Sequence, residues 1–167
     1  MCGICGQYNF DRDPVSLPSR KKMNDTLFWR GPDDEGFFFD GPVGFGFRRL
    51  SIIDLAYGHQ PMTTPDGRYT IVFNGEIYNF LTLKENLEKE GIVFFTHSDT
   101  EVLLKLYARK GKDCLKSLNG MFAFAIWDSV EKKIFAARDR MGKKPFYYWE
   151  TPSHFAFASE CKALLAH

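Results

Sequence analysis

Apolar positions recur along this chain in two periods, and the switch between them marks out its elements. Gly3 to Phe10 reads as a first strand, closed by the polar, proline-containing stretch Asp11 to Pro14. Met23 and Leu27 stand four apart, so a helix is expected within Leu17 to Trp29, stopped by Gly31-Pro32. Gly36 to Phe39 and Val43 to Phe47 look like two strands around the turn Asp40-Gly41-Pro42. Tyr57 to Gly67, rich in Pro, Gly and Thr, reads as a loop. Tyr69 to Phe73 is the next strand. Asn74-Gly75 then predicts a two-residue hairpin turn into the short run Glu76-Ile77-Tyr78, because the pair favours positive φ.

Two helices follow. Asn79 is placed to cap one that runs to about Glu90, with Phe80, Leu83 and Leu87 on one face and Gly91 as terminator. Ser98-Asp99-Thr100-Glu101 fits a capping box and opens the second, which continues through Leu103, Leu106 and Tyr107. A short third helix is expected around Asp113 to Leu118. Met121 to Trp127 is a continuous apolar run of strand length, which predicts burial on both faces. Ile134 to Arg138, Pro145 to Trp149 and Phe155 to Ala158 complete the strands, and Ser159 is placed to cap a last helix through Ala163 and Leu165. Strands, two helices and strands again favour α+β layers over alternating βαβ units.

Composition narrows the picture. At 167 residues the chain is expected to form one domain. A chain of this size buries about 70% of its unfolded surface and needs no disulfide or metal staple. Its 17 Phe, 7 Tyr and 3 Trp argue for a sheet-rich core. With 22 basic against 21 acidic side chains, no electrostatic reason points to nucleic acid or an anionic membrane. No apolar run approaches the ~18 residues of a membrane span, and the N-terminus lacks a signal-peptide pattern. Cysteines at 2, 5, 114 and 161 show no secreted spacing, so a reducing, cytoplasmic setting is expected.

Several residues carry candidate chemistry. Loss of Met1 would leave Cys2 with a free α-amine, joining a nucleophile and a base in one residue. The amine titrates near ~7.7–8 and a thiol near ~8.5, so neutral amine is available at cellular pH. The plain alternative is a small buried cysteine opening a strand, and position alone favours it. Cys2-Gly3-Ile4-Cys5 is also a C-x-x-C, but no strand precedes it as a redox motif requires, and zinc needs two further ligands at short spacing. Asn74-Gly75 is either only a turn or a pair of oxyanion donors. Arg48-Arg49 offers a surface salt bridge or a bidentate clamp on a carboxylate. Asp99 is a favourable charge at a helix start or a holder of an ammonium. Arg30 to Gly36 reads as a polar turn, or as a mobile flap between glycines.

These residues also fall in ordered blocks: Met1-Cys2-Gly3-Ile4, Arg30 to Gly36, RLSIIDL from Arg49, Gln60-Pro61-Met62, NGEIYN from Asn74 and SDTEVLL from Ser98. NGMFAFAIWD from Asn119, ARDR from Ala137, Lys144-Pro145 and FASECKAL from Phe157 complete the set. In that order, over nearly the whole chain, they resemble the class II glutamine amidotransferase domain of glutamine-hydrolysing asparagine synthetases. The resemblance implies an N-terminal-nucleophile fold over residues 1–167, a four-layer αββα sandwich of two mostly antiparallel sheets with helices outside. It implies Cys2 as nucleophile with its α-amine as general base, and Asn74 and the Gly75 backbone as oxyanion donors. Arg49 is implied to hold the α-carboxylate of glutamine and Glu76 and Asp99 its α-amine. Ile52 is implied among the glutamine-binding residues, and Arg30 to Asp33 as the loop over bound substrate.

The activity so implied is hydrolysis of glutamine to glutamate and ammonia for ATP-dependent amidation of a carboxylate, aspartate first. The same chemistry serving a sugar or secondary metabolite, or a non-catalytic glutamine-binding or partner-docking module, are its alternatives. The partner would be an ATP-dependent synthetase domain, in cis or as a separate subunit; a homodimer is left open. No cofactor is expected in this domain. ATP and Mg belong to the synthetase domain, whose Ser-Gly-Gly-x-Asp-Ser-type loop is absent here. Two departures stand out: Phe47 occupies a position where the family often has His, and Cys5 adds a thiol able to oxidise with Cys2.

Overall fold

Successive residues of a strand face opposite sides, and here that alternation sorts the apolar side chains into three layers. The structure, a computed structural model, describes residues 1–50 and 58–167. The described strands are β1 (Gly3–Asn9), β2 (Asp34–Asp40), β3 (Val43–Arg49), β4 (Met62–Thr63), β5 (Tyr69–Ile77), β6 (Gly120–Asp128), β7 (Lys133–Arg138), β8 (Tyr147–Glu150) and β9 (His154–Ala158). The helices are α1 (Leu17–Asp25), α2 (Phe80–Lys89), α3 (Asp99–Lys110) and α4 (Cys161–Leu165). One sheet has the order β2-β3-β1-β9-β8 and the other β4-β5-β6-β7, with every neighbouring pair antiparallel.

Ile4, Val43, Phe45, Phe47 and Phe157 of the first sheet meet Val72, Ala123, Ala125 and Trp127 of the second. The opposite face of the second sheet, with Ile71, Phe73, Phe124 and Ile126, is covered by Leu83, Leu87, Leu103 and Leu106 of α2 and α3. On the far side of the first sheet, Cys5 and Ala158 pack under Met23, Leu27 and Ala163, with α1 and α4 outside. The result is the expected helix–sheet–sheet–helix sandwich. β6 lies at its centre, with Phe122 to Asp128 buried without a break. Trp127 Nε1 donates to Asp40 Oδ2 at 2.8 Å, which satisfies a buried indole N–H.

Local signals failed where long-range pairing opposed them. Asn74-Gly75 does not turn the chain: β5 runs on to Ile77, with Asn74 opposite Ala123 and Gly75 opposite Phe122. A ladder along nine residues outweighs a dipeptide's turn preference. Val72, Asn74 and Glu76 therefore share the inner face. The first helix stops at Asp25, where Thr26 Oγ1 takes the Met23 carbonyl, and Phe28–Arg30 forms a turn of 3₁₀ helix instead. Residues 111–117 are likewise 3₁₀, and the proline-rich loop contains the two-residue β4.

Three caps also act differently from the sequence pattern. Ser98 accepts from Thr100 N at 3.1 Å, but Glu101 takes the backbone N–H groups of Phe95 and Thr96 instead of closing a box. Asn79 reaches past its helix to Ser117 O and Asn119 N. Ser159 accepts from Ile4 N at 3.0 Å and leaves Glu160 at the start of α4.

Gly6 sets the thickness of the inner layer. A Cβ there would run into the Phe157 ring and stand 2.8 Å from Phe45. Gly6→Ala is expected to cost about 1–3 kcal/mol by overpacking, read as a lower urea midpoint at unchanged slope.

Candidate active site

Cys2 stands just before β1, at the mouth of the layer between the sheets. Its side chain packs against the inner cluster with Ile4, whereas Cys5, an odd number of residues on, lies among α1 and α4 residues. A C-x-x-C in a strand places its thiols on opposite faces. The pair therefore builds neither a redox couple nor a zinc site, and oxidation of Cys2 by Cys5 is corrected with it. No described residues cluster to hold a metal. Cys5 is wholly buried beside Asn24, and burial pushes its thiol up to about 11.

Cys2 is held at both ends. Its Sγ receives Leu50 N at 3.4 Å and approaches Leu50 O at 3.6 Å. Burial raises the thiol above its ordinary range, opposed by the Leu50 N–H, the terminal amine, Arg49 and Lys144. Arg30 Nε donates to the Cys2 carbonyl at 3.0 Å while its other arm pairs with Glu160 at 3.3 Å. The surrounding donors and acceptors orient the Asn74 amide: its nitrogen donates to Cys2 O at 3.2 Å and its oxygen accepts from Arg30 at 3.3 Å.

The outer edge of β5 supplies the rest. Antiparallel pairing alternates, so every second residue turns its N–H and C=O away from a given neighbour. Phe122 gives its N–H to Asp139 and accepts from Asp139 N, which turns Gly75, opposite it, away from β6. β4 covers the resulting edge only to Ile71. Beyond it the Gln60 amide pairs with Phe73, accepting from its N–H at 2.6 Å and donating to its carbonyl at 3.2 Å. Two residues past Gly75, Ile77 N donates to Asp99 Oδ2 at 2.9 Å. Between these two, the Gly75 N–H points outward with no partner among the described residues.

Cys2, Arg49, Asn74, Gly75, Glu76 and Asp99 line one cleft of about 100 Å³. The described residues expected as nucleophile, oxyanion donors and glutamine ligands are thus brought together; Ile52 lies outside the described residues. Arg49 is only 6% exposed and faces this cleft, whereas Arg48 makes the plain salt bridges, to Asp25 and Glu35. Asp99 opens α3, and burial, then the nearby Glu76 charge, pushes its carboxyl up to about 6 against backbone N–H groups that pull it down. Phe47 also lines the cleft and offers it no polar atom.

Arg30 to Asp33 does not line the cleft. The segment is pinned to β3 instead: Asp33 N donates to Arg49 O at 3.0 Å, and a Cβ on Gly31 would collide with the Arg48 backbone. Gln60, Lys144 and Met1 also line the site without having been assigned roles from the sequence. Gln60 and Lys144 sat in recognisable blocks, but only the folded edge and turn show what they touch.

Known proteins agree with this geometry. The family described as glutamine amidotransferase domain matches residues 1–167. Asparagine synthetase (glutamine-hydrolyzing) 1 of Bacillus subtilis (strain 168) is 46% identical over 170 residues, covering 99% of this chain and 27% of that protein. Asparagine synthetase (glutamine-hydrolyzing) 3 of the same organism is also 46% identical, covering 100% and 28%. Among solved structures, the glutamine phosphoribosylpyrophosphate amidotransferase of B. subtilis complexed with ADP and GMP superposes with a TM-score of 0.83 at 24% identity, covering 99% of this chain and 43% of that one.

The four-layer sandwich has the fold of an N-terminal-nucleophile hydrolase. The chain belongs to the glutamine amidotransferase domain family and is similar to part of glutamine-hydrolyzing asparagine synthetases. It spans about a quarter of the length of these curated relatives.

The thiols give a direct test. Iodoacetamide is expected to modify Cys2 and the exposed Cys161 in the folded protein, and Cys5 and Cys114 only after unfolding. Peptide mass spectrometry reads the four sites, and a Cys2–Cys5 disulfide would contradict the strand geometry.

Proposed function

We propose that this domain hydrolyses glutamine at Cys2 and supplies the ammonia to an ATP-dependent amidating domain or subunit, with aspartate as the acceptor. The observation that carries the reading is the charge layout of the cleft. Arg49 offers a cation for the α-carboxylate of glutamine, and Glu76 and Asp99 offer carboxylates for its α-ammonium. The thiol and two neutral donors are left for the side-chain amide. A non-catalytic binding module would not need the outward Gly75 N–H beside a thiol.

Excision of Met1 frees the Cys2 α-amine, which takes the proton from Sγ. The thiolate attacks the amide carbon and forms a tetrahedral intermediate, whose oxyanion is received by the Asn74 amide and the Gly75 N–H. An amide nitrogen carries two hydrogens, so Asn74 can serve the Cys2 carbonyl and the oxyanion together. Collapse breaks the C–N bond. The α-ammonium returns its proton to the leaving nitrogen, giving ammonia and a γ-glutamyl thioester. Water, deprotonated by the same amine, then attacks the thioester, releases glutamate and restores the thiol.

Aspartate as the acceptor is supported by the relatives' description as asparagine synthetases, and their greater length leaves room for a synthetase part. ATP and Mg would act there. A reducing, cytoplasmic setting suits a thiol nucleophile and four unpaired cysteines.

Cys2→Ala is expected to abolish glutamine hydrolysis, and 6-diazo-5-oxo-L-norleucine to alkylate Cys2 with loss of activity; full glutaminase activity in the variant would refute the assignment. Asp99 gives a two-part test. Its folded carboxyl lies above its unfolded value of 3.8, so its stabilising contribution is complete below 3.8 and lost as pH rises through about 6. Asp99→Asn is therefore expected to raise stability at pH 7.5 by on the order of 1–3 kcal/mol, with the gain vanishing near pH 4. The same change removes an ammonium partner and should raise KM for glutamine by roughly 10- to 100-fold.

A further inference from the structure

The turn between β7 and β8 has no part in the chemistry so far, yet it is elaborately held. Asp139 accepts from the backbone N–H groups of Phe122 (3.2 Å), Lys143 (2.9 Å) and Lys144 (3.0 Å). Burial works against its charge, but these bonds together keep the carboxyl below its ordinary range. Arg138 reaches across the turn, donating from Nε to Lys144 O and from Nη2 to Gly142 O, each at 2.6 Å. Gly142 sits at φ +64°, where a Cβ would also crowd the Arg138 guanidinium at 3.1 Å. Matched blocks of the sequence, ARDR and Lys144-Pro145, therefore build one device.

What the device presents is Lys144. Its side chain is 5% exposed and lines the cleft with Cys2 and Glu76. Its Nζ touches Met1 Sδ at 3.0 Å and has no carboxylate within ion-pair distance among the described residues. Burying an ammonium without a counter-ion is costly, and a packing role alone would be filled better by Met or Leu. Removal of Met1 would take this contact away and leave the ammonium in the cleft that Cys2 lines.

We propose that Lys144 is a positioning residue for the nucleophile: its ammonium, fixed by the Arg138–Asp139 turn, favours proton loss from the mature α-amine and the Cys2 thiol together. That role rests on the glutaminase reading above. In the unprocessed chain the direction is already visible. The terminal amine is lowered by burial first and then by Arg30 and Lys144, and Lys144 also pulls down the Cys2 thiol against burial. Burial, then Arg30, lower Lys144 itself. The other charges around the pair are Arg30 and Asp33 from the segment after α1, Arg49 from β3, Glu76 from β5, Asp99 from α3 and Asp139 from the turn.

The test compares Lys144→Met, Lys144→Gln and Lys144→Arg in the full-length, Met1-processed protein. Two pH profiles are measured: iodoacetamide alkylation of Cys2 by mass spectrometry, and kcat/KM for glutamine hydrolysis. Both acid limbs should move up by about one pH unit in the Met and Gln variants and stay at the wild-type position in the Arg variant. An unmoved limb in both neutral variants, or an equal shift in Lys144→Arg, would overturn the proposal. Alkylation needs no turnover, so it still reports on Lys144 if the wild-type protein fails to hydrolyse glutamine, a failure that would count against the glutaminase reading alone.

Discussion

The unpaired outer edge of β5 is the constraint on which the site depends. A strand edge exposes N–H and C=O groups that must find partners or water, and here each stretch is met differently. β4 pairs with Thr70 and Ile71, the Gln60 amide imitates a strand at Phe73, and the Asp99 carboxylate takes the N–H of Ile77. The gap left at Gly75 is a fixed, outward donor produced by the sheet itself. Asn74, one residue earlier, keeps its backbone in the β6 ladder and turns its amide inward toward Cys2. One strand thus delivers two donors in perpendicular directions without a loop.

Much of the architecture was legible because it depends on period and burial. The continuous run Met121 to Trp127 identified the central strand, and the apolar i, i+4 spacings found α2 and α3. The misreadings share a cause. Asn74-Gly75, Ser159 and Asn79 each carry a strong local meaning, and each was claimed by a partner far along the chain. Site residues were recognisable as types: a terminal thiol, a carboxylate at a helix start, an arginine after an apolar strand. Their convergence came only through the family resemblance, because period and spacing do not join Cys2, Arg49, Asn74 and Asp99 until two sheets stack. Gln60 stood in a matched block, but its role was not legible, since its amide substitutes for a strand at Phe73.

Net charge near zero concealed a sharp internal separation. Arg30, Arg49 and Lys144 surround the Cys2 end, while Glu76 and Asp99 stand together in the same cleft. Such an arrangement costs folding stability, since like charges are held close and partly out of water. The sandwich tolerates it because most of its three apolar layers lie away from the cleft.

The two N-terminal thiols show how little sequence separates two different environments. Cys2 and Cys5 differ by three positions, an odd number, and strand geometry sends them to opposite sides of the first sheet. On one side the sulfur meets backbone donors, cations and an open cleft. On the other it is wholly buried beside Asn24 and the Arg20 guanidinium, and burial outweighs that cation and holds it protonated. The difference lies in the environment that each face provides. Met1 belongs to that environment too, because its sulfur occupies the ammonium of Lys144 and it walls one side of the cleft. On the proposed reading, removing this one residue would free the Cys2 amine, clear that wall and release the Lys144 ammonium together.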